Sequence, residues 1–323
     1  MQKLFFADSF FDQFAARRPK FLANTLFLIL IMLLYPLVGG LLFLLVSGGS
    51  LDPLSLLHLD KGLLPSIRLI QAVGQIFLLA LPVLVMAGWH TRHTRHTRHG
   101  HAFLPGSLAF LGIGKRVDIG LTALAVGGIF LLQPLLYTIT AFQDYALWPA
   151  LGSAGKEVVR QRDLMDAFIR DLALVRSVPE FFSVAFVLAL TPAFCEELLF
   201  RGYIQQNYAS SMSSGGAVLL TGSIFAFFHL SAANLLPLAL LGWYIGYIYA
   251  GTGNLAIPFV AHFSNNLAAL LLFFFTERTH LEGAVESKAV LGSPWWWLVV
   301  AGSLWLFLMV LRRFAARAAK SFL

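Results

Sequence analysis

The chain has 323 residues, of which 58% are hydrophobic and only 12% are charged, and its formal net charge is +7. A soluble domain carries about 25% charged residues, so this composition excludes an ordinary soluble enzyme and predicts a polytopic membrane protein. The single cysteine, Cys195, excludes an intramolecular disulfide and a cysteine-based metal cluster. The basic residues lie between apolar segments, so positive-inside topology explains them better than a nucleic-acid partner does.

The first 20 residues place Phe6, Phe10 and Phe14 at helical spacing among basic residues. This pattern predicts an interfacial amphipathic helix that leads into the first membrane span. The apolar run that follows has about 25 residues, which is too long for the h-region of a cleavable signal peptide.

Apolar runs long enough, or nearly long enough, to cross a hydrocarbon core of roughly 30 Å recur along the chain. They lie near residues 22–46, 67–89, 118–140, 180–200, 215–230, 235–250, 255–276 and 293–311. We therefore predict an all-α membrane protein, a polytopic bundle of about eight transmembrane helices with an N-terminal interfacial helix.

Three regions follow from these runs. Residues 1–179 contain the interfacial helix, three transmembrane helices and a long external loop, and residues 180–276 form a central core. Residues 277–323 contain an external loop, the last transmembrane helix and a basic cytoplasmic tail.

Lysine and arginine residues set the expected orientation, because the cytoplasmic segments of membrane proteins carry an excess of both. The N-terminus, the 90–117 loop and the C-terminus are strongly basic, whereas residues 47–66 and 277–292 hold few positive charges. We expect a multi-pass protein of the cell inner (cytoplasmic) membrane with both termini in the cytoplasm.

The 141–179 segment then lies outside the cell membrane, and it is long and mixed in charge. Its apolar residues recur at helical spacing, which predicts an amphipathic helix on the outer face, at Leu164, Phe168, Leu172 and Val175.

The segment HTRHTRHTRHGH at 90–101 repeats a histidine at every third position, at His93, His96 and His99. On a helix this spacing rotates each imidazole about 60° from the last, which gives no fixed ligand set. We interpret the segment as a basic, topology-setting loop, and a metal or lipid-headgroup site is the alternative.

Few ionisable residues remain inside the apolar segments, namely Glu196, Glu197, Arg201, His229 and His262. A charge at the bilayer centre costs about 2.5 to 3.5 kcal/mol, so such residues face a bundle interior or a cavity and indicate a functional site. Glu197 and Arg201 are four residues apart on one helix face, where they can form an ion pair. Glu196 is rotated by about 100° from Glu197, which makes it the better candidate for a general base.

His262 and Asn266 lie one helical turn apart, and Asn265 is the alternative to Asn266. A histidine and an amide on one face can donate hydrogen bonds to a developing oxyanion, and each donor is worth roughly 2.7 to 4 kcal/mol. His229 can orient the water that Glu196 activates. These groups suit acyl-bond hydrolysis without a serine or cysteine nucleophile. For each histidine, the alternative is a structural role as a hydrogen-bonding residue in helix packing. For Glu197 and Arg201, the alternative is a purely structural ion pair.

Three motifs carry a resemblance to a known family. EELLFR at Glu196–Arg201 matches EExxxR, FAFFH at Phe225–His229 matches FxxxH, and HFSNN at His262–Asn266 matches HxxxN. Their order and spacing over residues 180–275 resemble the CPBP family of intramembrane proteases, which includes CAAX prenyl endopeptidases and bacteriocin-processing or Abi-type proteins.

The resemblance implies a hydrolase that cleaves a membrane-embedded or membrane-anchored peptide or protein within the lipid bilayer, with no nucleic-acid partner. It implies that Glu196 and His229 activate water and that His262 and Asn266 form an oxyanion hole. It further implies that the site is supported structurally by Glu197, Arg201 and Phe225.

The family carries a metalloprotease label, and a metal-free glutamate mechanism has also been proposed for it. Glu196, His229 and His262 would make a three-ligand zinc site with an open position, although no HExxH motif sets ligand geometry on one helix. We favour the metal-free interpretation, with zinc as the alternative. A Cys195 nucleophile is disfavoured, because the adjacent carboxylate opposes formation of a thiolate.

Two other classes of function are alternatives. Intramembrane Glu, His and Arg residues also form proton relays, so one alternative is a proton-coupled transporter, although the two halves of the chain show no convincing similarity. The other is a catalytically inactive membrane scaffold or immunity protein that keeps the family fold.

Overall fold

The computed structural model describes residues 19–48, 62–93, 103–279 and 287–320. Within these ranges every regular element is helical. We number the helices α1 (Phe21–Val46), α2 (Leu64–Thr91), α3 (Phe103–Phe110), α4 (Ile119–Ala150), α5 (Gly152–Ala173), α6 (Val178–Ala209), α7 (Ser214–Phe228), α8 (Leu235–Thr252), α9 (Ala256–Thr276), α10 (Ser287–Gly292) and α11 (Pro294–Lys320).

Seven of the described helices, α1, α2, α4, α6, α8, α9 and α11, are long and apolar enough to cross a membrane. The predicted all-α polytopic bundle is therefore confirmed. The apolar run predicted near 215–230 forms α7, which has only 15 residues. At 1.5 Å per residue this helix is about 22 Å long, shorter than a hydrocarbon core of roughly 30 Å.

Local sequence explains where several helices begin and end. Asp118 caps α4 by accepting a hydrogen bond from the Leu121 amide at 2.9 Å, and Ser213 caps α7 by accepting one from the Gly216 amide at 3.1 Å. Helix α8 ends at Gly253, whose φ of 55° is a left-handed conformation that glycine adopts without a steric penalty.

Two apolar clusters form the core of the bundle. One packs α1, α2, α6 and α7 together around Phe200, Tyr203 and Phe225, and the other packs α4, α8, α9 and α11 around Ile129 and Phe314. Small residues bring α7 and α8 into close contact between the clusters: a methyl group added at Gly242 would lie 2.8 Å from the Gly222 carbonyl oxygen. This close approach places the Gly242 carbonyl within reach of α6.

The amphipathic helix predicted in the 141–179 segment is present as α5. Its apolar side packs on the bundle, where Leu172 is buried with Leu64 and Ile67, and Phe168 contacts the Phe43 ring edge-on at 6.3 Å. Val175 lies just beyond the end of the helix. Helix α5 therefore covers α1 and α2. The predicted interfacial helix and most of the HTR repeat lie outside the described residues.

Candidate active site

Glu197 and Arg201 form a fully buried ion pair in the middle of α6. Both side chains are 0% exposed, and Arg201 Nη1 donates to Glu197 Oε1 at 2.7 Å. Arg201 Nη2 also donates to the Gly242 carbonyl at 3.1 Å, and Gly242 lies on α8 where that helix packs closely against α7. The predicted i, i+4 pair is thus present, and pairing offsets much of the cost of burying each charge.

His262 contacts the same carboxylate from α9. Its Nδ1 atom lies 2.8 Å from Glu197 Oε1. A carboxylate oxygen can only accept, so Nδ1 carries the proton and donates it. The sequence motifs pair Glu197 only with Arg201, and this second contact spans 65 positions of the chain. No local spacing reveals such a contact.

Glu196 is buried beside Glu197, Arg201 and His262 but makes fewer polar contacts than Glu197 does. Among the described residues its Oε2 atom has no hydrogen-bond partner, although it lies 3.9 Å from His262 Nε2. Glu197 Oε2 also has no partner among the described residues, so each glutamate has one buried oxygen that substrate or water would satisfy. The two adjacent glutamates therefore differ in their contacts, as their offset on the helix predicts.

His229 follows the last residue of α7, where the chain turns. Its Nδ1 atom lies 2.8 Å from the Phe225 carbonyl oxygen, which can only accept, so Nδ1 is the donor. A neutral ring then keeps a lone pair on Nε2. The next residue, Leu230, has a φ of 52°, a strained left-handed conformation for a leucine. This conformation ends the helix after Phe228, with His229 as the C-cap residue.

Phe225 is the shared neighbour of the site. Its ring centroid lies 4.7 Å from that of His229 and 5.9 Å from that of His262, both in edge-to-face arrangements. The Arg201 guanidinium lies over the same ring at 4.7 Å, a cation–π contact. Phe225 thus holds together side chains from α6, α7 and α9.

Asn266 lies one turn beyond His262 on α9 and is partly buried. A chain of amides leads to it, because Gln133 Nε2 donates to Asn265 Oδ1 at 3.0 Å and Asn265 Nδ2 donates to Asn266 Oδ1 at 3.5 Å. With its oxygen as the acceptor, Asn266 presents its NH₂ group elsewhere. Gln133 of α4 belongs to no sequence motif, so no local spacing indicates its contact with Asn265.

An apolar cavity of about 530 Å³ extends from His229. Its walls come from the second half of α1, the first half of α2, helix α5 and the turn between α7 and α8. Residues that line it include Tyr35, Phe43, Gln71, Phe168, His229 and Ser231. The candidate water-positioning histidine therefore faces a space large enough for part of a peptide.

The alternative zinc ligands are not brought together as a metal site. In the part of the chain that the structure describes, no group of three or more His, Cys, Asp or Glu side chains could hold a metal ion. His229 and His262 each donate from Nδ1 and keep Nε2 available, as metal-ligating histidines do, so the misfit lies only in the placement of the side chains. These residues do not fit a zinc ion in this arrangement, so we derive no step through one. Cys195 is a buried free thiol.

Comparison with known proteins places these residues within one family segment. Residues 178–268 match the family model described as type II CAAX prenyl endopeptidase Rce1-like, and this range includes Glu196, His229, His262 and Asn266. No curated protein and no solved structure gave a significant match. Residues 178–268 of the chain are therefore similar to the type II CAAX prenyl endopeptidases of the Rce1-like family.

Proposed function

We propose that the protein is an intramembrane endopeptidase that hydrolyses a peptide bond of a membrane-associated substrate. The observation that carries the proposal is the contrast between two adjacent buried carboxylates. Glu197 Oε1 accepts from both Arg201 and His262, and only Glu197 Oε2 is left without a partner among the described residues. Glu196 has no such pair of donors: its Oε2 has no partner among the described residues and lies 3.9 Å from His262 Nε2. The first carboxylate holds the site together, and the second is available to take a proton from water.

Glu196 and His229 activate the water in this proposal. Glu196 accepts one water proton, and the lone pair on His229 Nε2 accepts a hydrogen bond from the other water O–H group. The hydrogen bond from Nδ1 to the Phe225 carbonyl fixes which nitrogen of His229 is free. The water is thereby aimed by a ring whose orientation and tautomer are both set by the helix end.

His262 and Asn266 stabilise the oxyanion. Asn266 donates from its NH₂ group, which its contact with Asn265 leaves available. His262 Nδ1 is already engaged by Glu197, so Nε2 donates when the ring carries protons on both nitrogens. Two donors one turn apart on one helix face are close enough to share one oxygen atom as acceptor.

These residues and one water molecule account for every bond that is made or broken in the proposed hydrolysis. The water oxygen bonds to the scissile carbonyl carbon, and the carbonyl oxygen becomes the oxyanion. When the C–N bond breaks, Glu196 passes the proton it took from water to the leaving amine, which departs neutral. The products are a new carboxyl terminus and a new amino terminus.

The substrate in this proposal is a membrane-embedded or membrane-anchored peptide or protein, bound within the lipid bilayer. The apolar walls of the cavity beside His229 suit apolar side chains that a membrane-anchored segment presents. We further propose that the protein resides in the cell inner membrane with both termini in the cytoplasm, as its basic segments indicate.

A membrane-peptide library incubated with purified protein tests this function. Mass spectrometry should detect products that wild type generates and that Glu196→Gln and His229→Ala do not. The same preparations, reconstituted in proteoliposomes, serve as the control for the transporter hypothesis. Glu196-dependent ion flux without any peptide cleavage would replace the protease proposal with that alternative.

A further inference from the structure

We propose that a second cavity, of about 420 Å³, where the end of α8 meets the α6–α7 turn, binds the headgroup of a membrane phospholipid. The headgroup is a phosphodiester that also carries an N–H or O–H donor. The described residues that line this cavity do not include Glu196, His229, His262 or Asn266, so the inference is independent of the proposed hydrolysis.

Two turns of the chain in direct contact form one wall of the cavity. Gly112, which follows α3, has a φ of 80°, and the Leu255 amide donates to its carbonyl at 3.1 Å. A methyl group added at Gly112 would lie 2.8 Å from the Gly253 carbonyl oxygen, and one added at Gly253 would lie 2.9 Å from Lys115 Nζ. The Lys115 ammonium group therefore lies against the Gly253 backbone, at the cavity.

Lys115 gives the cavity a positive charge without a counter-charge. Among the described residues no aspartate or glutamate lines the cavity, and Lys115 forms no ion pair or hydrogen bond within that part of the chain. The other polar side chains of the lining are neutral amides and hydroxyls, at Gln205, Gln206, Ser210, Ser214 and Tyr249. A phosphate group supplies both the missing counter-charge and several acceptor oxygens.

The N-terminus of α7 opens at the same cavity. Ser213 caps this helix of 15 residues, and Ser214, its first residue, lines the cavity. Backbone amides in the first turn of a helix have no acceptor within the helix, and the helix dipole favours a negative charge there. An anion beside Ser214 is therefore favoured by the helix as well as by Lys115.

Gln205 adds an independent requirement for the ligand. This residue is 3% exposed and forms part of the cavity wall. Its Nε2 atom donates to the Gly246 carbonyl at 2.8 Å, which fixes Oε1 as the acceptor end of the amide. Among the described residues Oε1 has no partner. A buried acceptor needs a donor, and an ionised phosphodiester has none, so the ligand carries an N–H or O–H group as well.

The place of the cavity in the bundle favours a lipid as the source of this chemistry. The lining includes the last turns of α6 and α8, two of the helices that are long and apolar enough to cross a membrane. Arg116 lies beside this end of α8, because Asn254 donates to its carbonyl at 3.1 Å. Basic pockets between transmembrane helices at a membrane surface bind lipid headgroups.

Three common phospholipids separate the two requirements. Phosphatidylglycerol and phosphatidylethanolamine each have a phosphodiester and a donor, namely the glycerol hydroxyls and the ammonium group. Phosphatidylcholine has the same phosphodiester, but its quaternary ammonium group has no N–H. It is therefore the matched ligand that Lys115 accepts and Gln205 does not.

Native mass spectrometry of the purified full-length protein in detergent tests the site without any peptide cleavage. The protein is titrated separately with the three lipids, with identical acyl chains, and the dissociation constant of the first bound lipid is measured. Phosphatidylglycerol and phosphatidylethanolamine should bind about fivefold or more tightly than phosphatidylcholine, because each donates to Gln205 Oε1. Equal affinity for all three lipids overturns the inference.

Lys115→Gln tests the contact with the phosphate. It should bind phosphatidylglycerol about fivefold more weakly than wild type, the loss expected for one lysine near a membrane surface. Lys156→Gln is the matched control, because Lys156 is exposed on α5 and does not line the cavity, and its affinity should stay within about twofold of wild type. A Lys115→Gln protein that binds the lipid as tightly as wild type overturns the inference.

Gln205→Met tests the buried acceptor, since it keeps the length of the side chain and removes the oxygen. The affinity for phosphatidylglycerol and phosphatidylethanolamine should fall to that for phosphatidylcholine. A folded variant that keeps the preference overturns the role of Gln205. If thermal melts show that this variant does not fold, the comparison of the three lipids on wild type still decides whether the site needs a donor.

Soluble phosphate esters are the other source of the same chemistry. An excess of glycerol phosphate or phosphoethanolamine should leave phosphatidylglycerol bound, because only the lipid is also held by its acyl chains. Displacement of the lipid by either compound would assign the cavity to a soluble ligand and overturn the lipid assignment.

Discussion

His262 Nδ1 lies 2.8 Å from Glu197 Oε1, and this one oxygen atom also accepts from Arg201 at 2.7 Å. The contact joins α9 to α6 through the most deeply buried charges of the site. It also fixes the orientation of the His262 ring, whose other nitrogen, Nε2, lies 3.9 Å from Glu196 Oε2. In the proposed mechanism Glu197 is a positioning residue, which acts through His262 and does not touch substrate.

Glu197→Leu should lower both stability and activity. The change leaves the fully buried Arg201 without a counter-charge, which costs roughly 3 to 5 kcal/mol of unfolding free energy. The double variant Glu197→Leu/Arg201→Leu removes the unpaired charge, so its melting temperature should recover. Its peptide hydrolysis should stay about 10²-fold below wild type, because His262 still lacks its acceptor. Recovery of activity together with stability would show that Glu197 has a structural role only.

Asn266→Ala should reduce kcat about 10²- to 10³-fold, as expected for the loss of one oxyanion donor. Asn265→Ala should cost less, since Asn265 only orients its neighbour through a contact of 3.5 Å. Rates measured on one peptide for both variants give the comparison. A larger loss for Asn265→Ala would transfer the donor role from Asn266 to Asn265.

Gln133→Leu should lower kcat by about as much as Asn265→Ala does, because Gln133 acts through Asn265.

His229→Asn separates the two nitrogens of this histidine. The asparagine NH₂ group can replace Nδ1 in the hydrogen bond to the Phe225 carbonyl, but it leaves nothing at the position of Nε2. The melting temperature should therefore change little, while kcat falls about 10²- to 10⁴-fold. Hydrolysis by His229→Asn at the wild-type rate would remove His229 from the water-activating pair.

The ion pair of Asp118 with Arg317 predicts a pH dependence of stability outside the membrane-spanning segments. The hydrogen bond from the Arg317 guanidinium, followed by that from the Leu121 amide, lowers the pKa of Asp118 below its ordinary value of 3.8. Its contribution is therefore fully present above that ordinary value and is lost as the pH falls through the folded-state pKa.

Asp118→Asn should thus lower the melting temperature at about pH 7, and the difference from wild type should shrink toward about pH 3. Asparagine remains a good helix N-cap, so the variant removes the ion pair and keeps the cap. Thermal melts of both proteins in detergent provide the measurement. A difference that grows as the pH falls would contradict this account of the pair.

The bundle could be predicted from the sequence because apolar length is a one-dimensional property. A run such as 22–46 contains enough apolar residues to cross a bilayer, whatever its neighbours are. The Glu197–Arg201 pair could be predicted in the same way, since a spacing of four fixes a shared helix face. The amphipathic period of α5 was also visible in the sequence, and the structure adds that this helix packs on α1 and α2.

The remaining features depend on contacts between distant parts of the chain. The bond from His262 to Glu197 and the amide chain from Gln133 each join helices whose relative placement no spacing encodes. Helix α6 also contains two π-helical segments, and the second begins at Leu198, directly after the paired glutamates. Such wider turns are frequent at functional sites, but they follow from tertiary packing.

Glu196→Gln tests the central claim, that this carboxylate activates the water. The substitution keeps the size of the side chain and removes the base, and it sacrifices no hydrogen bond of Oε2 among the described residues. Purified protein with a melting temperature equal to or above that of wild type should cleave a cognate membrane peptide about 10²- to 10⁴-fold more slowly. A folded Glu196→Gln protein that cleaves the peptide at the wild-type rate would contradict the account.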